Sequence, residues 1–225
     1  MTHPHDTLLD LLTRRHSCRA FRPDPVDHAT IAQVVATAQR VPSWCNAQPW
    51  QVTMTDPAAT ARLSAALLHA VETDAPKPDL DWPTRYTGVY QDRRRTCGFQ
   101  LYDALGIARD DRPARTAQML ENYRFFGAPH VAIVTSEADL GAYGAMDSGG
   151  FVATFTLAAQ ALGLATIPQA AIAAYAPTVR AELAIPDTRL ILCAIALGYA
   201  DPDHPANAFR TDRATPADVI DWVTH

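Results

Sequence analysis

The sequence predicts an α+β fold, one small and mostly antiparallel sheet surrounded by helices. Three observations lead there. Only four segments read as strands, while helical patterns account for much of the remainder. The strands do not alternate regularly with helices, as a doubly wound parallel sheet would require. And with 48% apolar and 19% charged residues in 225, the chain can bury a real core. We expect one domain over residues 1–225, with an irregular and helical excursion at about 74–126.

Taken in order, residues 1–6 read as a mobile tail. Thr7 is a candidate cap for a helix to Arg15 with a leucine stripe at Leu8, Leu9, Leu11 and Leu12. Residues 15–26 form an irregular connection, because Pro23 and Pro25 exclude helix. Asp27 caps a second helix that ends near Val41, ahead of Pro42. The Pro-bounded loop 42–50 leads into a strand at 50–54, and Asp56-Pro57 opens a third helix to about Val71. The chain is irregular from Asp74 to Arg95, with helical segments at 91–105 and up to Tyr123. His130 to Ser136 is a β-branched strand. The longest helix runs from Tyr143 or Gly144 to Leu162. Its Gly149-Gly150 pair costs about 1 kcal/mol per glycine relative to alanine, which implies close packing against another helix or a ring. A short strand at 165–168, a helix at 178–184 and a strand at 189–199 follow. The tail is extended and closes with a short helix near Thr215-Pro216.

The net charge is −5, and of 19 basic residues 18 are Arg and one, Lys77, is Lys. The acidic balance argues against a nucleic-acid partner. No apolar run reaches the length of a membrane span, so no membrane association is expected. The N-terminus has no secretory pattern. The four cysteines, Cys18, Cys45, Cys97 and Cys193, are widely spaced, as reduced thiols of a cytoplasmic protein would be. No dinucleotide-binding glycine fingerprint, phosphate-cradling loop, zinc-helix motif or nucleophile elbow is present, and the histidines make no metal-ligand set.

Three constellations carry chemistry. Arg15-His16-Ser17-Cys18-Arg19 places two guanidiniums four residues apart with a hydroxyl between them. It suits a phosphate through charge-assisted forks, or else caps a helix end. Pro42-Ser43-Trp44-Cys45-Asn46-Ala47-Gln48-Pro49-Trp50 sets polar groups beside aromatic faces. It suits a flat heteroaromatic ligand, or is an ordinary turn. Phe209-Arg210-Thr211-Asp212-Arg213 offers a further arginine to an anion.

In this order, and with G-L-A-T-I-P-Q-A at 163–170 and N-x-F-R-x-x-R at 207–213, the motifs resemble the FMN-dependent nitroreductase family over nearly the whole chain. Segments 101–111 and 121–134 resemble the branch of bacterial enzymes acting on nitrobenzoates and dinitrobenzamides. The resemblance implies an intertwined homodimer with FMN bound between subunits, and NADH or NADPH as co-substrate. The reaction is reduction of a small nitroaromatic substrate by two-electron ping-pong hydride transfer at the flavin N5, with no catalytic side chain and no metal. It assigns Arg15, His16, Ser17, Arg19 and Arg213 to the FMN phosphate and ribityl chain, with Arg210 a further candidate. Pro42, Ser43, Trp44 and Asn46 would approach the ring from the other subunit. Pro168, Gln169 and Ala170 would run beside it, with Gln-Ala where relatives often carry Glu-Gly. Tyr86, Tyr90, Phe99, Tyr123 and Phe126 would line the substrate slot. Arg93, Arg94 and Arg95 would meet a substrate carboxylate, a dinucleotide phosphate or solvent. Another reaction on the same flavin scaffold (reductive dehalogenation, flavin fragmentation or dehydrogenation) remains open, as does a flavin-binding sensor or storage protein.

Overall fold

A computed structural model describes residues 3–224. Its centre is a four-stranded sheet in the order β1-β2-β4-β3, with every neighbouring pair antiparallel. The strands are β1 (Trp50–Met54), β2 (His130–Glu137), β3 (Ala165–Gln169) and β4 (Arg189–Gly198). A register shift between Val134 and Thr135 marks a bulge where β2 meets β4.

Both faces of the sheet are covered. The helices are α1 (Pro4–Arg14), α2 (His28–Ala38), α3 (Pro57–Thr73), α4 (Gly88–Ala104), α5 (Arg112–Leu120), α6 (Gly141–Ala161) and α7 (Ala176–Leu183). On one face, Leu63 and Leu67 of α3 and Val179 of α7 pack against Val131, Ile133, Ala194 and Ala196. On the other, Val34 of α2 and Phe151 and Phe155 of α6 pack against Ala132, Val134, Ile195 and Leu197. Successive strand residues therefore serve opposite cores. This is why β2 and β4 read as continuous apolar runs although the sheet is antiparallel. Each fully buried Leu, Ile or Phe contributes about 1.5–3 kcal/mol relative to exposure.

Local signals explain most boundaries. The Asp27 carboxylate caps α2 by accepting from the Thr30 N–H at 2.9 Å, and Asp56 caps α3 by accepting from the Ala59 N–H at 2.7 Å. In α6, a Cβ added at Gly144 would lie 2.7 Å from the Ser136 hydroxyl oxygen and 2.8 Å from the Leu140 Cβ, so only glycine fits. Gly150 faces Val41, whereas Gly149 faces open space, so only one of that pair is explained by packing within this chain.

Four expectations change. Helix α1 begins at Pro4, not Thr7, because proline is well suited to a first helical turn and Asp6 adds a favourable charge there. Helix α2 stops at Ala38, before the Val41 expected from Pro42. The excursion is more helical than the proline count suggested, with α4 starting at Gly88. The C-terminal helix is a single three-residue 3-10 turn, Pro216–Asp218, closed by a Thr215–Asp218 capping box.

Segment 15–26, expected as an irregular connection, is tied to the sheet. Ser17 bridges Thr166 of β3, and Phe21 bridges Ala200 just after β4. The Cys18 N–H donates to the Thr166 carbonyl at 3.0 Å, and the Arg22 N–H to the Tyr199 carbonyl at 2.9 Å. The Cys18 side chain points into the core, where burial pushes its thiol up to about 11. No helix among the described residues is long and apolar enough to cross a membrane.

Candidate functional site

Segment 15–19 leaves α1 and crosses the edge of β3, and its side chains other than Cys18 turn outward from the sheet edge. Arg15, His16, Ser17 and Arg19 line a cavity of about 540 Å³, together with Arg210 and Arg213 from the tail. Residues nearly two hundred positions apart in sequence thus share one wall. The connection is made by Asn207. Its Oδ1 accepts from the Arg19 N–H at 2.7 Å, and its Nδ2 donates to the Ala20 carbonyl at 2.9 Å and the Asp201 carbonyl at 2.8 Å. Asn207 is buried, and all three partners fix the tail beside the 15–19 segment.

The cavity is electrostatically one-sided. None of its lining residues is acidic, and among the described residues none of the four arginines forms an ion pair. Burial, and then repulsion from Arg213, hold Arg15 below its ordinary value; burial does the same to Arg19. His16 is held below the usual imidazole value by burial first. A hydrogen bond to the Arg14 carbonyl opposes this, and Arg210, Arg15 and Arg19 reinforce it. With His16 Nδ1 3.1 Å from that carbonyl, Nε2 is buried without a partner. A set of unpaired guanidiniums around an orphaned ring nitrogen is the chemistry of an anion site. The Arg19 guanidinium also lies 5.7 Å from the centre of the Phe209 ring.

The Pro42–Asn46 segment is elsewhere. It precedes β1, at the opposite edge of the sheet from β3, so three strand spacings, about 14 Å, separate the two edges. Here the Trp44 N–H donates to the Asp147 carboxylate of α6 at 2.9 Å, the Gln48 N–H donates to the Ser43 hydroxyl at 2.9 Å, and the Trp44 ring meets Tyr143 edge-on at 4.5 Å. Cys45, Asn46 and Gln48 all have positive φ, at 51°, 55° and 48°, so the loop holds strain that these anchors maintain. Trp44 is exposed and lines a separate cavity of about 280 Å³ with Pro49 and Tyr143; Pro42, Ser43 and Asn46 are not among its lining residues.

Pro168 and Gln169 end β3, and Ala170 follows. The Gln169 Nε2 donates to the Asn122 carbonyl at 2.8 Å, while its Oε1 is buried without a partner. Ala170 lines a further cavity of about 530 Å³, which also takes in Tyr86. Of the other aromatics expected around a substrate, Tyr90 is exposed, and Phe99 lies under the Arg109 guanidinium at 4.2 Å. Tyr123 and Phe126 are each 6% exposed and belong to a core cluster. Tyr123 packs edge-on against Tyr175, and their contacts are packing contacts.

Asn207 and Asp147 had no role in the sequence reading. Asn207 stands in the N-x-F-R-x-x-R motif, which was the available signal. Nothing in the sequence around Asp147 points to Trp44.

Comparison with known proteins matches residues 12–199 to the nitroreductase family model. Over 209 residues the chain is 42% identical to the nitroreductase NfnB of Mycolicibacterium smegmatis, spanning 91% of this chain and 87% of that protein. It is 30% identical over 215 residues to a 4-nitrobenzoate reductase of Pseudomonas putida, spanning 96% and 93%. The fold superposes with a TM-score of 0.92 on the crystal structure of the FMN-dependent NfnB from Mycobacterium smegmatis in complex with NADPH. That match is 38% identical and covers 97% of this chain and 99% of the other.

Proposed function

The chain belongs to the nitroreductase family, and from that premise we propose that it is an FMN-dependent NAD(P)H oxidoreductase that reduces nitroaromatic compounds. The observation that carries this is the carboxylate-free arginine cavity at the β3 edge. The residues present fit FMN. The dianionic phosphate meets four guanidiniums that no acid neutralises, and the orphaned His16 Nε2 is available to the same ligand. When bound, the flavin ring supplies two-electron hydride chemistry between a reduced nicotinamide and a nitro group.

The protein's part is binding and orientation. Arg15, Arg19 and Arg213 would hold the phosphate with charge-assisted bonds, Ser17 would add a hydroxyl, and Arg210 would add to the positive field. Pro168, Gln169 and Ala170 give the ring a wall at the end of β3. The Asn122–Gln169 bond fixes that wall, as Asn207 fixes the phosphate end. We assign no side chain as a general acid.

The assembly we propose is a homodimer. Pro42, Ser43, Trp44 and Asn46 sit on the sheet edge opposite the arginines, so one chain alone cannot bring them to the same ring. A two-fold arrangement sets the β1 edge of one copy against the β3 edge of the other. Leu8, Leu9 and Leu12 of α1 and Tyr143 and Met146 of α6 are exposed, as an uncovered interface would be. We place this single-domain protein in the cytoplasm. The relative solved with NADPH supports NADPH as donor.

A visible spectrum of the purified protein tests the reading. Flavin absorbance is expected, bleached by NADPH under anaerobic conditions and restored by a nitroaromatic. A colourless protein that takes up no FMN on reconstitution rejects it.

A further inference from the structure

A second cavity, of about 530 Å³, adjoins the arginine site along α4. Gln91 and Arg94 line this second cavity, and Cys97 lines the first. Steps of three residues advance about 4.5 Å along a helix, so one helix face walks from one cavity to the next. On the other side, Ser17 of the first cavity bridges Thr166, and Ala170, four residues further along, lines the second.

The lining suits one ligand chemistry. Trp82 and Tyr86 offer exposed aromatic faces, and Ala170 leaves room for a flat ring. Arg85 and Arg94 supply two positive charges, the lining contains no carboxylate, and among the described residues neither arginine forms an ion pair. The Arg94 guanidinium lies 5.3 Å from the centre of the Tyr86 ring. Stacking uses the face of a guanidinium and leaves its N–H edge free to fork onto a carboxylate. Its neighbour Arg93 acts elsewhere: it helps hold Asp218 below the ordinary carboxylate value, after the hydrogen bonds from Thr215.

We propose that this cavity receives the aromatic ring of the substrate beside Trp82 and Tyr86, and that Arg94, aided by Arg85, selects nitroaromatics bearing a carboxylate over uncharged ones. The proposal rests on the flavin nitroreductase reading above and names the substrate class of that site. The arginines act on the substrate's charge and leave the redox step to the flavin.

The test needs no turnover. Oxidised, FMN-loaded protein is titrated calorimetrically with 4-nitrobenzoate and with the uncharged 4-nitrobenzamide. The wild type should bind the carboxylate more tightly. Arg94→Gln should lose about tenfold or more of that preference, the scale of a charge-assisted fork, and Arg85→Gln less. Both side chains are exposed, and an unchanged flavin spectrum confirms that each variant is folded and loaded. Equal affinities in the wild type, or a preference intact in the double variant, overturn the proposal. So does an Arg94→Gln enzyme that discriminates against NADPH relative to NADH while keeping its nitrobenzoate preference, since that assigns the arginine to the dinucleotide phosphate. A protein without flavin, or one that no nitroaromatic reoxidises, sinks the parent reading as well. That result is distinct from equal affinities in a coloured, working enzyme.

Discussion

Two of the arginine-lined cavities, similar in size, differ in what their arginines face. One, of about 590 Å³, lies between Pro78 and α7 and holds Arg180. There the Asp79 carboxylate accepts from Arg180 Nη2 at 2.7 Å and from the Ile191 N–H at 2.7 Å, while Arg180 Nη2 also donates to the Arg189 carbonyl at 2.8 Å. The two side chains are 15% and 18% exposed. The other, of about 540 Å³, gathers four guanidiniums with no carboxylate. In the first, the charge is answered within the chain, and the pair fastens the excursion to β4. In the second, it is left unanswered. Volume does not separate a structural cavity from a binding one; whether a carboxylate answers the arginine does.

The sharpest way to break this contrast is to remove a partner from each side. Asp79→Ala strands Arg180 and the Ile191 N–H together. We expect a loss of about 3 kcal/mol, a fall in Tm of roughly 6–12 °C, and unchanged FMN affinity, read by thermal denaturation and flavin titration. Arg19→Ala should do the reverse. FMN binding should weaken by about 1.5–3 kcal/mol, while the flavin-free protein keeps its Tm, because the cation removed is partly buried and has no acidic partner. If flavin-free Arg19→Ala falls as far as Asp79→Ala, the distinction between the two cavities is wrong.

The smallest effect concerns His16. Its folded value lies below 6.5, so the unfolded chain binds more protons in the window below pH 6.5. Stability of the flavin-free protein is therefore complete above about pH 6.5 and declines as pH falls through that value toward the lowered one. His16→Gln should flatten this part of a Tm-against-pH curve in phosphate-free buffer. Inorganic phosphate should also flatten it, by answering the positive field that adds to burial in disfavouring the charged ring. A wild-type curve that His16→Gln leaves unchanged rejects the assignment.

Legibility in the sequence followed the range of the determining interaction. Strand β1 is readable to the residue, because Pro49 and Asp56-Pro57 bracket it. The caps of α2 and α3 are readable from Asp27 and Asp56, whose partners lie three residues away. Arg15 and Arg19 could be paired from their spacing. The role of Asn207 could not, because its bond to the Arg19 N–H joins residues 188 apart. Nor does sequence proximity show that the 15–19 and 42–46 motifs belong to opposite sheet edges; strand order sets that. The burial of Tyr123 and Phe126 has a third source. Phe125, Phe126 and Gly127 turn with φ of 53°, 55° and 79°, a conformation that no hydrophobic period reveals, and this turn carries the aromatics into the core.

The Asn207 staple divides the binding site along the chain. Both core clusters and all four strands come from residues before it, whereas Arg210 and Arg213 come after it. A protease that cuts between Asn207 and Arg210 would spare the scaffold and carry off half of the cavity's guanidiniums. The tail is thus a detachable half of the anion site, and limited digestion would separate holding FMN from being folded.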